Sequence, residues 1–241
     1  MVEMDFRSVT AEIDAELRQR GTTERAVQEK AYLHSALEHY GTTVPAIRAV
    51  VKSVSTRYPV LGHDDLLALV DALWSAPVHE RRMAAVELLE FHVARLQPGD
   101  MPALERLLRE ARTWALVDGL AASVVGPLVE RHPALASVLD RWVVDDDFWL
   151  RRSALLALLL ALRRGAGDFQ LFSRYADPML QEKEFFIRKA IGWVLRDTAR
   201  RRPAMVYEWL LPRAARVSGL TLREAVKPLS EQQRAAVLGA R

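Results

Sequence analysis

The chain has 241 residues, half of them hydrophobic and 27% charged, enough for a sizeable core in a globular protein. It contains no cysteine, which excludes disulfide scaffolds, thiolate metal sites and cysteine nucleophiles and fits a reducing, cytoplasmic setting. The net charge of +3 conceals an imbalance: residues 1–144 carry 16 Lys and Arg against 20 Asp and Glu, whereas residues 145–241 carry 18 against 11, a basic half that suits a phosphate-rich partner. Arginines scattered over solvent faces are the plainer alternative.

Alternating β-branched runs are almost absent, and apolar residues recur at helical spacing throughout. In chain order the periodicity predicts helices over Phe6–Arg20, Thr23–His39, Val44–Tyr58, His63–Trp74, Val78–Leu96, Met101–Glu110, Thr113–Arg131, Pro133–Val143, Asp147–Arg164, Phe169–Ala176, Lys183–Arg201, Ala204–Leu211, Leu220–Val226 and Glu231–Leu238. Gly41, Pro45, Pro77, Pro98, Pro102, Pro133, Pro178, Pro203 and Pro212 mark joints, where a missing N–H is harmless. The acidic N-terminal stretch has no apolar core of a signal peptide, and the longest apolar run, Ser153–Leu162, is too short to span a bilayer. No joint is long enough for a linker, so one domain over 1–241 is expected. Helices fall into pairs of roughly 35–45 residues, a solenoid period. The expected fold is therefore all-α, an α-solenoid of HEAT-like helical repeats with a concave basic cleft; an irregular helical bundle is the alternative.

Three stretches stand out. Thr113–Leu128 carries one charge, Asp118, which shares a helix face with Trp114 four residues earlier and with Ala121 and Val125. A carboxylate on so apolar a stripe needs a partner or a purpose, and a buried ion pair is the structural alternative. In the nearly all-apolar stretch Asp147–Leu162, Arg151 and Arg152 either reach an anion or tie two repeats together. In Glu184–Arg196, Phe186, Ile187, Ala190, Ile191 and Val194 form a dry face. Lys189, Gly192 and Arg196 lie opposite with Trp193 at the boundary, two cations around a bare backbone patch that suits a polyanion. A solvated face with a half-buried Trp is the plainer reading. Phosphate loops, GxSxG and HExxH motifs are missing, and the six histidines are scattered, so neither a metal site nor a cofactor is expected.

The chain resembles the DNA alkylation repair family of AlkD-like HEAT-repeat DNA glycosylases. The resemblance rests on Lys183–Arg196 (KEFFIRKAIGWVLR), Trp114-x-x-Val117-Asp118, Phe148–Trp149–Leu150–Arg151–Arg152, Leu73–Trp74-x-x-Pro77-x-x-Glu80 and Tyr32 followed by Gly41-x-x-x-Pro45, in order from about residue 25 to residue 226. It implies a solenoid that holds duplex DNA in a basic cleft and hydrolyses the N-glycosidic bond of N3- or N7-alkylated purines. By matching position, Asp118 is the catalytic carboxylate and Trp114 and Trp193 are aromatic walls around the deoxyribose. Arg152 holds a phosphate and Tyr32 lines the cleft. Lys189, Arg196 and Thr43 complete the expected DNA-binding set. Thr113 stands where the family often has a second aromatic, and Thr43 where it often has an amide.

The implied partner is double-stranded DNA with alkylated purines, bound by a monomer with no membrane association. An alkylated purine is cationic and leaves readily, so the remaining need is to stabilise an oxocarbenium-like sugar and orient water, which a carboxylate does. The segment from Trp114 to Asp118 has no lysine, so water rather than an amine is the expected nucleophile and no lyase step is expected. The alternatives are a damaged- or branched-DNA binder without chemistry, and a protein scaffold with no nucleic-acid role.

Overall fold

A computed structural model describes residues 6–59 and 61–241; the first five residues, where the acidic N-terminal stretch begins, lie outside it. The helices are α1 (Phe6–Arg20), α2 (Thr23–Leu33), α3 (Val44–Arg57), α4 (His63–Trp74), α5 (His79–Phe91), α6 (Met101–Ala111), α7 (Trp114–Gly119), α8 (Gly126–Arg131), α9 (Ala136–Trp142), α10 (Phe148–Leu156), α11 (Leu159–Arg163), α12 (Phe169–Met179), α13 (Phe185–Ala199), α14 (Pro203–Leu210), α15 (Gly219–Ala225) and α16 (Glu231–Gly239). Among the described residues no strand forms; Glu38 and Val78 share one isolated bridge. No helix among them is long and apolar enough to cross a membrane.

Local chemistry sets seven of the helix starts among the described residues. Side chains of Thr22, Thr43, Asp147, Asp168, Glu184, Ser218 and Ser230 each accept a backbone N–H of the first turn. Burial follows the helical period: Val9, Ile13 and Leu17 line the inner face of α1. Each such Val or Leu contributes on the order of 1.5–3 kcal/mol.

Four expectations need correction. The helix drawn over Thr23–His39 ends at Leu33, because His34 turns left-handed (φ 48°) and its N–H bonds back to Ala31 and Lys30. Glu38 then pairs with backbone across the chain, its N–H to Pro77 and its carbonyl to His79, both at 2.9 Å. The helix over Thr113–Arg131 contains a π-wound segment, Leu120–Val125, just before Pro127, which has no N–H to donate four residues back. The helix over Asp147–Arg164 breaks between α10 and α11. Pro178 is not at a joint but inside the last turn of α12.

The chain forms two compact units: Met1–Pro102 with Glu110–Leu120, and Ala103–Arg109 with Ala121–Arg241. In the first, α1 packs on α3 and α4, α5 on α3 and α4, and α7 on α5. In the second, α13 is the central helix, in contact with α10, α11, α14 and α15.

Within each unit polar bonds join positions 34 to 39 residues apart. In the first they include Arg48–Glu87, His63–Asp100 and the indole of Trp74 on Glu110. In the second they include Arg109–Asp145, Arg163–Asp197, Tyr175–Asp140 and Arg213–Asp177, with the indoles of Trp142 on Glu105 and of Trp209 on Ser173. Each joins a residue to its counterpart about one helix pair away. The fold is an all-helical repeat whose period is written in bonding partners rather than in repeated residues. A buried indole N–H left without an acceptor is costly, which gives these bonds their structural weight.

Candidate functional site

In the first unit, Thr113 is extended (φ −149°, ψ 141°) and the chain enters α7 at Trp114. Leu116 and Val117 are buried on the inner side of α7. Trp114 and Asp118, one turn apart, are half-buried. Gly119 allows the close approach of α7 to α5: a Cβ there would stand 2.8 Å from Val86 Cγ1. The indole of Trp114 meets the ring of Tyr32 edge-on, centroids 6.0 Å apart at 90°. Tyr32 itself is 72% exposed. Asp118 takes part in an interaction within the protein. The expected stripe does not run past α7, since Ala121 and Val125 are fully buried where the winding becomes π. Thr43 is exposed and caps α3 through Ala46 N–H at 3.4 Å.

In the second unit, Arg152 is 4% exposed and its Nη1 donates to the carbonyl of Phe186 at 2.5 Å. Its guanidinium also faces the Phe186 ring. Arg151 pairs with Glu182. Lys189 Nζ lies 5.8 Å over the ring of Phe185, an aromatic 52% exposed.

The expected bare patch at Gly192 is a packing surface. Gly192 is buried against α15, and a Cβ there would meet Glu224 Cβ at 3.0 Å and the Thr221 carbonyl at 3.2 Å. Arg196 pairs with Glu224 and Asp197. Trp193 is half-buried, and its Nε1 donates to Asp197 Oδ2 at 3.1 Å. Asp197 is buried and also accepts from Arg163, which fixes the orientation of the indole. Sequence reasoning missed this carboxylate; the signal was its position four residues after Trp193.

Two stretches that carried the resemblance serve the scaffold. Trp74 is buried with its N–H on Glu110 at 2.8 Å. Glu80 is fully buried and accepts the backbone N–H of Tyr40, Gly41 and Thr42 at 2.9, 2.6 and 3.2 Å. Gly41 has φ +79°, which only glycine adopts without strain, and a Cβ there would collide with the Thr22 carbonyl. Glu80 and Gly41 are thus halves of one pinned turn.

The fold is similar to that of a predicted DNA alkylation repair enzyme from Enterococcus faecalis, with a TM-score of 0.78 at 24% identity over 88% of this chain and 98% of that one. It is also similar to the crystal structure of AlkD2 from Streptococcus mutans, with a TM-score of 0.65 at 15% identity over 94% of this chain and 100% of that one. No curated protein matches the sequence. The model of the DNA alkylation repair enzymes matches residues 13–229, and the chain belongs to that family.

Proposed function

We propose that this member is a monofunctional DNA glycosylase that hydrolyses the N-glycosidic bond of N3- or N7-alkylated purines in duplex DNA. The observation that supports it most is the short helix α7, which carries Asp118 one turn from Trp114, whose face is in turn set by the exposed ring of Tyr32. The cationic base leaves without a strong acid. The Asp118 carboxylate stabilises the positive sugar and orients the attacking water, and the indole face favours the same charge. Trp193, held by Asp197, keeps the role the family resemblance gives it, an aromatic wall against the deoxyribose.

In this reading Lys189, beside an exposed ring, grips the phosphate backbone. Arg152, to which the resemblance gives a phosphate, is instead buried against Phe186 and acts by positioning the start of α13. Arg196 contributes what charge remains beside Glu224 and Asp197, and Thr43, exposed at the start of α3, adds a backbone contact. The protein acts as a monomer. The test is incubation of the pure protein with duplex containing N7-methylguanine and measurement of free base. Release supports a glycosylase. Tight, salt-sensitive binding without release identifies a binder that does no chemistry.

A further inference from the structure

We propose that Glu29, His39 and Glu80, all in the first unit, bind one divalent transition-metal ion of the zinc class. Each offers a donor atom, and the three donors lie within 4.8 Å of one another. The inference goes beyond the repair reading and does not depend on it.

The donor inventory carries the argument. His39 is 8% exposed, yet among the described residues neither ring nitrogen has a hydrogen-bond partner. A neutral imidazole has one donor and one acceptor to satisfy, and a buried polar atom left alone is costly. Glu29 Oε1 accepts from Arg25, while its Oε2 is buried and has no partner among the described residues. Glu80 Oε1 accepts from Gly41 and Thr42, which fills it. Among the described residues Oε2 accepts only from Tyr40 and keeps a second lone pair. The cluster therefore holds one nitrogen and two carboxylate oxygens with unused capacity, buried together.

Two carboxylates and one imidazole thus share a single small cluster. The ring of His79 lies parallel to that of His39 at 4.5 Å and fixes its plane.

Donors around zinc sit about 3.3 Å apart in a tetrahedron at 2.0–2.1 Å bonds. Drawing the cluster together requires side-chain movements on the order of 1 Å. An imidazole with two carboxylates suits zinc or its neighbours; magnesium and calcium prefer more oxygens and water. The bound ion would tie α2 to the start of α5 and to the Tyr40–Thr42 turn. Tyr32, one turn beyond Glu29 on α2, would be steadied with it. Sequence spacing gave no hint, because positions 29, 39 and 80 match no metal motif and the expectation was that no site existed.

The experiment uses the full chain, stripped with a chelator and then dialysed against zinc. Wild type is expected to bind one zinc per chain and to melt several degrees higher in zinc than in chelator, with no such shift in magnesium. Glu29→Gln and His39→Asn are each expected to weaken that binding at least about tenfold while circular dichroism stays helical. Should His39→Asn fail to fold, Glu29→Gln, which keeps the shape of the side chain, decides. A wild type without stoichiometric zinc, or a Glu29→Gln protein with undiminished affinity, overturns the proposal. Base excision is not the readout, so its failure would leave this result unaffected.

Discussion

The ring of Tyr32 stands at 90° to the indole of Trp114 with centroids 6.0 Å apart, so an exposed side chain of α2 sets the orientation of the first residue of α7. An edge-to-face pair contributes about 0.5–1.5 kcal/mol. Because Tyr32 is exposed, its loss removes little core. Tyr32→Ala is expected to leave the melting temperature within a few degrees of wild type and to slow excision of N7-methylguanine by up to about tenfold. Single-turnover base release alongside a thermal melt checks both.

Lys189 tests the DNA-binding half of the proposal. Its charge faces an aromatic ring, and its loss leaves the helix core intact. Lys189→Ala is expected to weaken duplex binding about equally for all sequences and to reduce the slope of log K against log salt by about one. Titrations at several salt concentrations measure the slope; an unchanged slope removes Lys189 from the interface.

Gly192 tests the reassignment of that surface from ligand contact to packing. Gly192→Leu forces side-chain atoms into Thr221 and Glu224. Overpacking of this kind costs about 1–3 kcal/mol, offset by up to about 1 kcal/mol from the better helix propensity of leucine. The denaturant midpoint is expected to fall, and no fall would restore the open-patch reading.

His63 gives a pH dependence. Its Nε2 lies 2.9 Å from Asp100 Oδ2 and its Nδ1 2.8 Å from Asp64 Oδ1, and the Asp100 bond, then the Asp64 bond, raises its pKa. A folded value above the unfolded one, about 6.5, stabilises the protein fully below that pH and loses this effect as pH rises through the folded value. His63→Gln should therefore lower the melting temperature more at about pH 5.5 than at about pH 8.5. Equal losses at both contradict it.

The helical class and several boundaries were legible because they depend on neighbours in sequence. The helix over His63–Trp74 has both of the bounds that apolar spacing predicts. Features that depend on distant partners were not legible. Ala31, Leu33, Ala36 and Leu37 continue a helical pattern, yet the chain leaves the helix at His34 to pair Glu38 with Pro77 and His79. Gly192 has the look of an open face until α15 is laid on it. The roles of Glu80 and Asp197 depend on backbone or side chains some 34 to 40 residues away. At the candidate site the sequence supplied Trp114 and Asp118 as a pair one turn apart; Tyr32 came from the resemblance, and its contact with Trp114 from the fold.

The central claim is that the Asp118 carboxylate carries the chemistry, and Asp118→Asn tests it most directly. Duplex containing N7-methylguanine is incubated with excess wild type or variant, free base is followed over time, and duplex affinity is measured in parallel. The account predicts unchanged affinity with base release slowed on the order of 10²–10³-fold. Release by Asp118→Asn at the wild-type rate would contradict it.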